Sequence, residues 1–214
     1  MPRRKERPKL IHQATTLEYL YCLGNMPEWS KVLSDQKNGK SYNDFLKWIL
    51  QNRYFKDEEK ISIKKISELS GYTSAKISKW LKEIYEDIFI LNENRSSLFC
   101  TSPGIEVDFY LSYFDNYCSF RTSLPALPRK YETVEFFFIK AKLGTNHFWV
   151  KDVSFRIDED KRDIIIYLEG GILNSYRELA LDKALFEGNI RFLDVYEKYD
   201  FEIDELLKKR VKSL

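Results

Sequence analysis

One stretch constrains the fold more than any other. From Ile77 onward the apolar residues Ile77, Trp80, Leu81, Ile84 and Ile88 recur at intervals of three and four. That spacing places side chains on one stripe of an α-helix. Thr73 stands just ahead of the stripe, where a hydroxyl accepts one of the unpaired amides of a first turn, so a helix is expected from Thr73 to about Asp87. Upstream, a shorter helix is expected from Ser62 or Ile63 to Ser70, with Ile66 turned to the core and Ser67 small enough for the next helix to pack closely. Gly71 closes it, supplying the positive φ that such a turn often needs.

The face opposite the stripe carries the chemistry. Thr73, Ser74, Lys76, Ser78, Lys79 and Lys82 point away from it, and this segment holds three lysines and no acid; Glu83, Glu86 and Asp87 appear only afterwards. Lysines meet phosphates, and serine and threonine hydroxyls meet phosphates or base edges. Around the two helices, Lys60–Ile63 reads as a short extended segment. Phe89–Leu91 reads as a strand, Asn92–Ser96 as a turn with Arg95 at its tip, and Ser97–Thr101 as a returning strand.

Helix, short strand, helix, turn, helix and hairpin, in that order, make a winged helix. The segment from Ile66 to Leu81 resembles the helix-turn-helix of bacterial transcriptional regulators, and the resemblance covers residues 61–101. Trp80 is larger than the aliphatic residue usual at its place. The resemblance implies that the helix from Thr73 enters the major groove of double-stranded DNA, with Arg95 as a wing residue reaching a phosphate or the minor groove. Winged helices also serve as protein-interaction modules, so an adaptor that binds no DNA is the alternative. Replication initiators of plasmids and phages, which join winged helices to a second α+β unit, are a sub-case of the DNA reading.

Net charge conceals this asymmetry. The whole chain carries 35 Lys and Arg against 33 Asp and Glu. Residues 1–101 hold 18 against 13, and residues 102–214 hold 17 against 20. The positive surplus lies with the helix-turn-helix and with a basic arm over residues 1–10, which can reach an adjacent groove.

The expected fold class is α+β, an N-terminal helical winged-helix domain over residues 1–102 followed by an antiparallel β-rich domain with C-terminal helices over 103–214. In the first domain Thr16 caps one helix, Pro27 opens another and Ser41 caps a third. In the second, strands are expected over 105–114, 116–124, 133–143, 148–157 and 163–169, and helices over 175–187 and 203–212, the last with Ile203, Leu206, Leu207 and Val211 inward. This domain is the expected dimerising or effector unit, and a homodimer is the expected assembly. Its aromatics, among them Phe109, Tyr110, Tyr113, Phe114, Tyr117 and Phe120, fit either exposed rings that stack on single-stranded bases or a flat ligand, or a packed sheet or dimer interface, which is where aromatics usually lie.

Other classes find little support. Cys22, Cys100 and Cys118 are scattered and form no CxxC pair, and His12 and His147 stand apart from them. This is not the spacing of a zinc site or a disulfide framework. Reduced thiols and the absence of a long apolar run point to a cytoplasmic protein with no membrane association. No phosphate-binding glycine loop or catalytic Ser/His/Asp frame is present, so no cofactor is expected, and a small-molecule effector has no residue to argue for it. Glu132, Glu135, Lys140 and Asp152 match no nuclease motif closely, and the chain is read as a non-enzyme.

Overall fold

The computed structural model describes residues 9–36, 39–52, 62–100, 103–159, 162–198 and 200–211. The architecture is α+β, in two compact units, Met1–Gly171 and Ile172–Leu214.

The first unit begins with α1 (Thr16–Gly24), α2 (Pro27–Asp35), α3 (Asn43–Gln51), α4 (Ile63–Ser70) and α5 (Ser74–Asn94). Local chemistry sets their starts. Thr15, one residue before the expected cap, heads α1: its hydroxyl accepts the Glu18 amide, and the Glu18 carboxylate accepts the Thr15 amide, a reciprocal capping box. Pro27 opens α2 at a position where a missing N–H costs nothing. Ser41 does not cap α3. Tyr42 holds that place, and Ser41 Oγ instead accepts the Trp80 indole N–H at 3.1 Å.

The sheet comprises β1 (Ile105–Tyr113), β2 (Asn116–Leu124), β3 (Thr133–Glu135), β4 (His147–Ile157) and β5 (Arg162–Gly170), in the order β2-β1-β5-β4-β3. It is mixed rather than antiparallel, because β1 and β5 run parallel where the two antiparallel hairpins meet. The run Ile164-Ile-Ile-Tyr-Leu168, apolar on both faces, suits a strand in the middle of a sheet.

The strand expected over 133–143 ends at Glu135. A 3-10 turn at Phe137–Ile139 and the short α6 (Lys140–Leu143) replace the rest. Tertiary partners decide this. The Phe138 carbonyl accepts the Tyr85 hydroxyl at 2.8 Å, the Phe137 carbonyl faces the Cys22 thiol, and Cys22 Sγ accepts the Ala141 amide.

One core spans the first unit. Trp29 of α2 packs edge-on against Phe89 of α5, Phe99 and Phe120 of β2, and tilted against Phe138. Val107, Phe109, Leu111, Phe148, Val150, Ile166 and Leu168 line the inner sheet face. The domain boundary expected at residues 102/103 therefore falls inside a unit, and the chain divides after Gly171.

The second unit is α7 (Ser175–Phe186), α8 (Phe192–Glu197) and α9 (Asp200–Val211). Asn174 caps α7 by accepting the Arg177 amide at 3.1 Å. Ala184, Ile190 and Ile203 are buried, with Leu181, Leu185, Val195, Leu206 and Leu207 packed around them. Val211, expected inward, has a side chain outside the described residues. Arg177 Nε bonds Asp204 at 2.6 Å and ties α7 to α9. Among the described residues no helix is long and apolar enough to cross a membrane.

Candidate nucleic-acid interface

The α4–turn–α5 unit is locked by short-range bonds. Ser62 Oγ accepts the Lys65 amide at 3.2 Å and starts α4. Gly71 ends it at φ +74°, where an added Cβ would meet nothing within 4 Å, so the dihedral rather than space demands glycine. The Ser67 hydroxyl donates to the Tyr72 carbonyl at 2.6 Å, a second reason for a small polar residue there. Thr73 Oγ1 accepts the Lys76 amide and starts α5.

An aromatic cluster then fixes the unit on its neighbour. The Tyr72 ring meets Trp80 edge-on at 4.9 Å and Phe45 of α3 at 6.0 Å, and Trp80 lies 5.6 Å from Phe45. The size of Trp80 has its explanation here: an aliphatic residue would reach neither Phe45 nor the Ser41 hydroxyl.

Ile77, Trp80, Leu81, Ile84, Tyr85, Ile88, Phe89 and Asn92 form the buried stripe of α5. At about 100° per residue, Ala75, Lys79 and Lys82 share the middle of the opposite face, with Ser74 and its cap Thr73 at the exposed amino end. Lys76 is exposed on one flank with its ammonium 5.7 Å from the centre of the Trp80 ring. Ser78 sits half-buried on the other flank. Lys79 lies 3.6 Å from Glu83. The three lysines thus make a slanting band around the positive end of a 21-residue helix dipole. Glu86 and Asp87 are drawn into ion pairs, Glu86 with Lys142 and Asp87 with Lys40.

Sequence reasoning passed over two contributions. Ala75, at the centre of the exposed band, is small enough for close approach of a partner. Lys64 and Lys65 on α4 are exposed and add positive charge to the neighbouring helix. Their signal was present, since both lie off the Ile63/Ile66 stripe.

The expected wing is not formed. Residues 89–94 continue α5, and a 3-10 turn at Ser96–Leu98 follows. Phe89 and Asn92 extend the buried stripe by about one more turn beyond Ile88, so the aromatic, β-branched run serves helix packing instead of a hairpin. Arg95 becomes the residue that ends α5, its guanidinium 3.4 Å from Gln36 Oε1. Twelve residues of helix, about 20 Å, separate it from Lys82, and it does not join the lysine band. Of the extended segment expected at Lys60–Ile63, Lys60 and Ile61 lie outside the described residues, Ser62 is extended as the cap of α4, and Ile63 is already helical.

Residues 1–8 of the basic arm also lie outside the described residues. Where the chain emerges, it is pinned to the β1–β2 turn: the Leu10 amide donates to Asp115, the His12 amide donates to Asn116, and the Asn116 side-chain amide donates to the Leu10 carbonyl, all within 2.9 Å.

The aromatics of the sheet divide between its two faces. Phe109, Phe120 and Phe148 are buried, whereas Tyr110, Tyr117 and Tyr167 are exposed around a cleft of about 440 Å³ that Lys151 also lines. Charges on that outer face are satisfied among themselves. Arg121 donates to Asp108 through Nε and Nη2, with Asp163 beside it, which raises its already high pKa, and Lys151 bonds Glu169 at 2.6 Å. Cations already neutralised by neighbouring carboxylates give little attraction to a polyanion.

Glu132, Glu135, Lys140 and Asp152 are not gathered. Glu132 accepts the Arg129 amide and Glu135 pairs with His147 at 2.6 Å. Among the described residues no group of three or more His, Cys, Asp and Glu side chains is placed to hold a metal ion. The chain matches no protein-family model, no curated protein and no solved structure.

Proposed function

We propose that this chain binds double-stranded DNA as a transcriptional regulator, inserting the amino-terminal half of α5 into the major groove. One observation carries the reading. Over its first three turns α5 buries Ile77, Trp80, Leu81 and Ile84 and turns the opposite face outward, and that face bears Lys76, Lys79 and Lys82 with no acid before Glu83. The carboxy-terminal half is held down by the core and the sheet, so a groove meets the lysine band first. Lys79 and Lys82 contact phosphates, Ser74 and Ala75 approach base edges, and Thr73 holds the helix start. Ser78 and Arg95 have no part in this geometry. Three unpaired thiols suit a reducing compartment, and we place the protein in the cytoplasm.

Selection from random duplexes, followed by salt titration of the selected site, tests the proposal. Two or three neutralised phosphates predict a slope of log K against log salt of about −2 to −3. Absence of salt-dependent duplex binding would leave the adaptor reading.

A further inference from the structure

Helix α7 is apolar on two sides. Leu181, Ala184 and Leu185 face the core of its own unit, while Leu179 (68% exposed) and Phe186 (93% exposed) lie on the far side with Tyr176. A helix apolar on both sides is ordinarily covered on both. The unit is also short of core. Among the described residues, 172–214 bury only three apolar side chains, Ala184, Ile190 and Ile203. Segments of roughly 40–70 residues seldom hold without a disulfide, a metal or a partner surface.

The far face of α7 is chemically a palindrome. Leu179, Asp182, Lys183 and Phe186 are spaced i, i+3, i+4, i+7 and share one stripe about 100° wide. A two-fold axis between residues 182 and 183 sets Leu179 against Phe186 of a second copy and Asp182 against Lys183, each twice. Self-complementarity of this kind, apolar against apolar and acid against base, is what an isologous interface requires. Tyr176, 68% exposed and three residues ahead of Leu179, adds a ring on the same side of α7.

We infer that a second copy of this chain covers this surface, with two α7 helices packed antiparallel through Leu179, Asp182, Lys183 and Phe186. The Lys183–Glu187 contact at 3.8 Å, exposed and within one helix, gives way to the cross-copy pair. This inference stands apart from the DNA reading and is tested without DNA.

Light scattering coupled to size-exclusion chromatography, over a dilution series of the full chain, reads the mass. A dimer is expected. Asp182→Lys or Lys183→Asp alone turns both symmetric ion pairs into like-charge pairs and weakens dimerisation on the order of tenfold. The double variant Asp182→Lys/Lys183→Asp restores opposite charges and with them the dimer, which a merely local helix effect would not do. Phe186→Asp weakens the dimer at least about a hundredfold. Circular dichroism of each variant, unchanged at these exposed positions, separates loss of the interface from loss of the fold. A monomeric wild-type chain at about 100 μM, well above the Kd range of specific interfaces, would overturn the inference, as would a dimer indifferent to Phe186→Asp.

Discussion

Asn92 of α5 and Arg121 of β2 are joined by two hydrogen bonds of 2.8 Å. The Asn92 amide donates to the Arg121 carbonyl, and its oxygen accepts the Arg121 amide. β2 is an edge strand, and one side chain from the helix takes the place of the missing neighbouring strand. Asn92 is 1% exposed, so no water replaces it. Asn92→Ala leaves a buried N–H and C=O unpaired and should cost about 2–4 kcal/mol. Urea unfolding measures the loss, and amide exchange at Arg121 should accelerate ahead of that at β1. A loss under about 0.5 kcal/mol would mean that the clamp does not hold the edge.

The lysine band makes a second, independent prediction. On the proposed DNA reading, Lys79→Glu and Lys82→Glu each remove one phosphate contact and add repulsion, and should lower duplex affinity tenfold or more at about 0.1 M salt. Arg95→Glu, at the far end of α5, should leave affinity within twofold. Gel-shift titrations compare the three. Equal losses for all would restore Arg95 to the interface, and no loss at Lys79 or Lys82 would remove α5 from it.

Gly71 tests the turn. At φ +74° in open space, Gly71→Ala meets backbone strain alone, about 1–2 kcal/mol. The melting temperature should fall by a few degrees, and duplex affinity should weaken if α4 and α5 lose their relative orientation. An unchanged melting temperature would show that the turn relaxes freely.

Asp194 sets an acid limit on the second unit. Hydrogen bonding from the Arg191 guanidinium, together with the Arg191 amide, holds its carboxyl down to about 2. The unfolded carboxyl titrates near 3.9. The folded state therefore gains from this group at pH values above about 4, and the gain is lost as pH falls toward 2. A pH series of chemical shifts should place the Asp194 midpoint near 2, and Asp194→Asn should remove this part of the acid dependence. A midpoint near 3.9 would contradict the Arg191 bond.

The sequence determined whatever local chemistry decides. The period of Ile77, Trp80, Leu81, Ile84 and Ile88 specified α5, Gly71 and Thr73 marked the turn and the cap, and the alternating runs from Ile105 to Leu124 specified the β1–β2 hairpin. Each of these signals lies within a few residues of the structure it encodes. The tertiary structure alone decided the rest. Phe89-Ile90-Leu91 suits a strand by composition, yet it is helical because Phe89 meets Trp29 and Asn92 meets the edge of β2, partners 60 and 29 residues away. Phe136–Leu143 leaves the sheet because Tyr85 and Cys22 claim its backbone. The parallel pairing of β1 with β5 joins strands more than 50 residues apart, and no local pattern encodes which edge a hairpin will seek. Where the partner is distant, intrinsic propensity, worth about 1 kcal/mol or less per residue, yields to burial and to hydrogen bonds that cannot be left unmade.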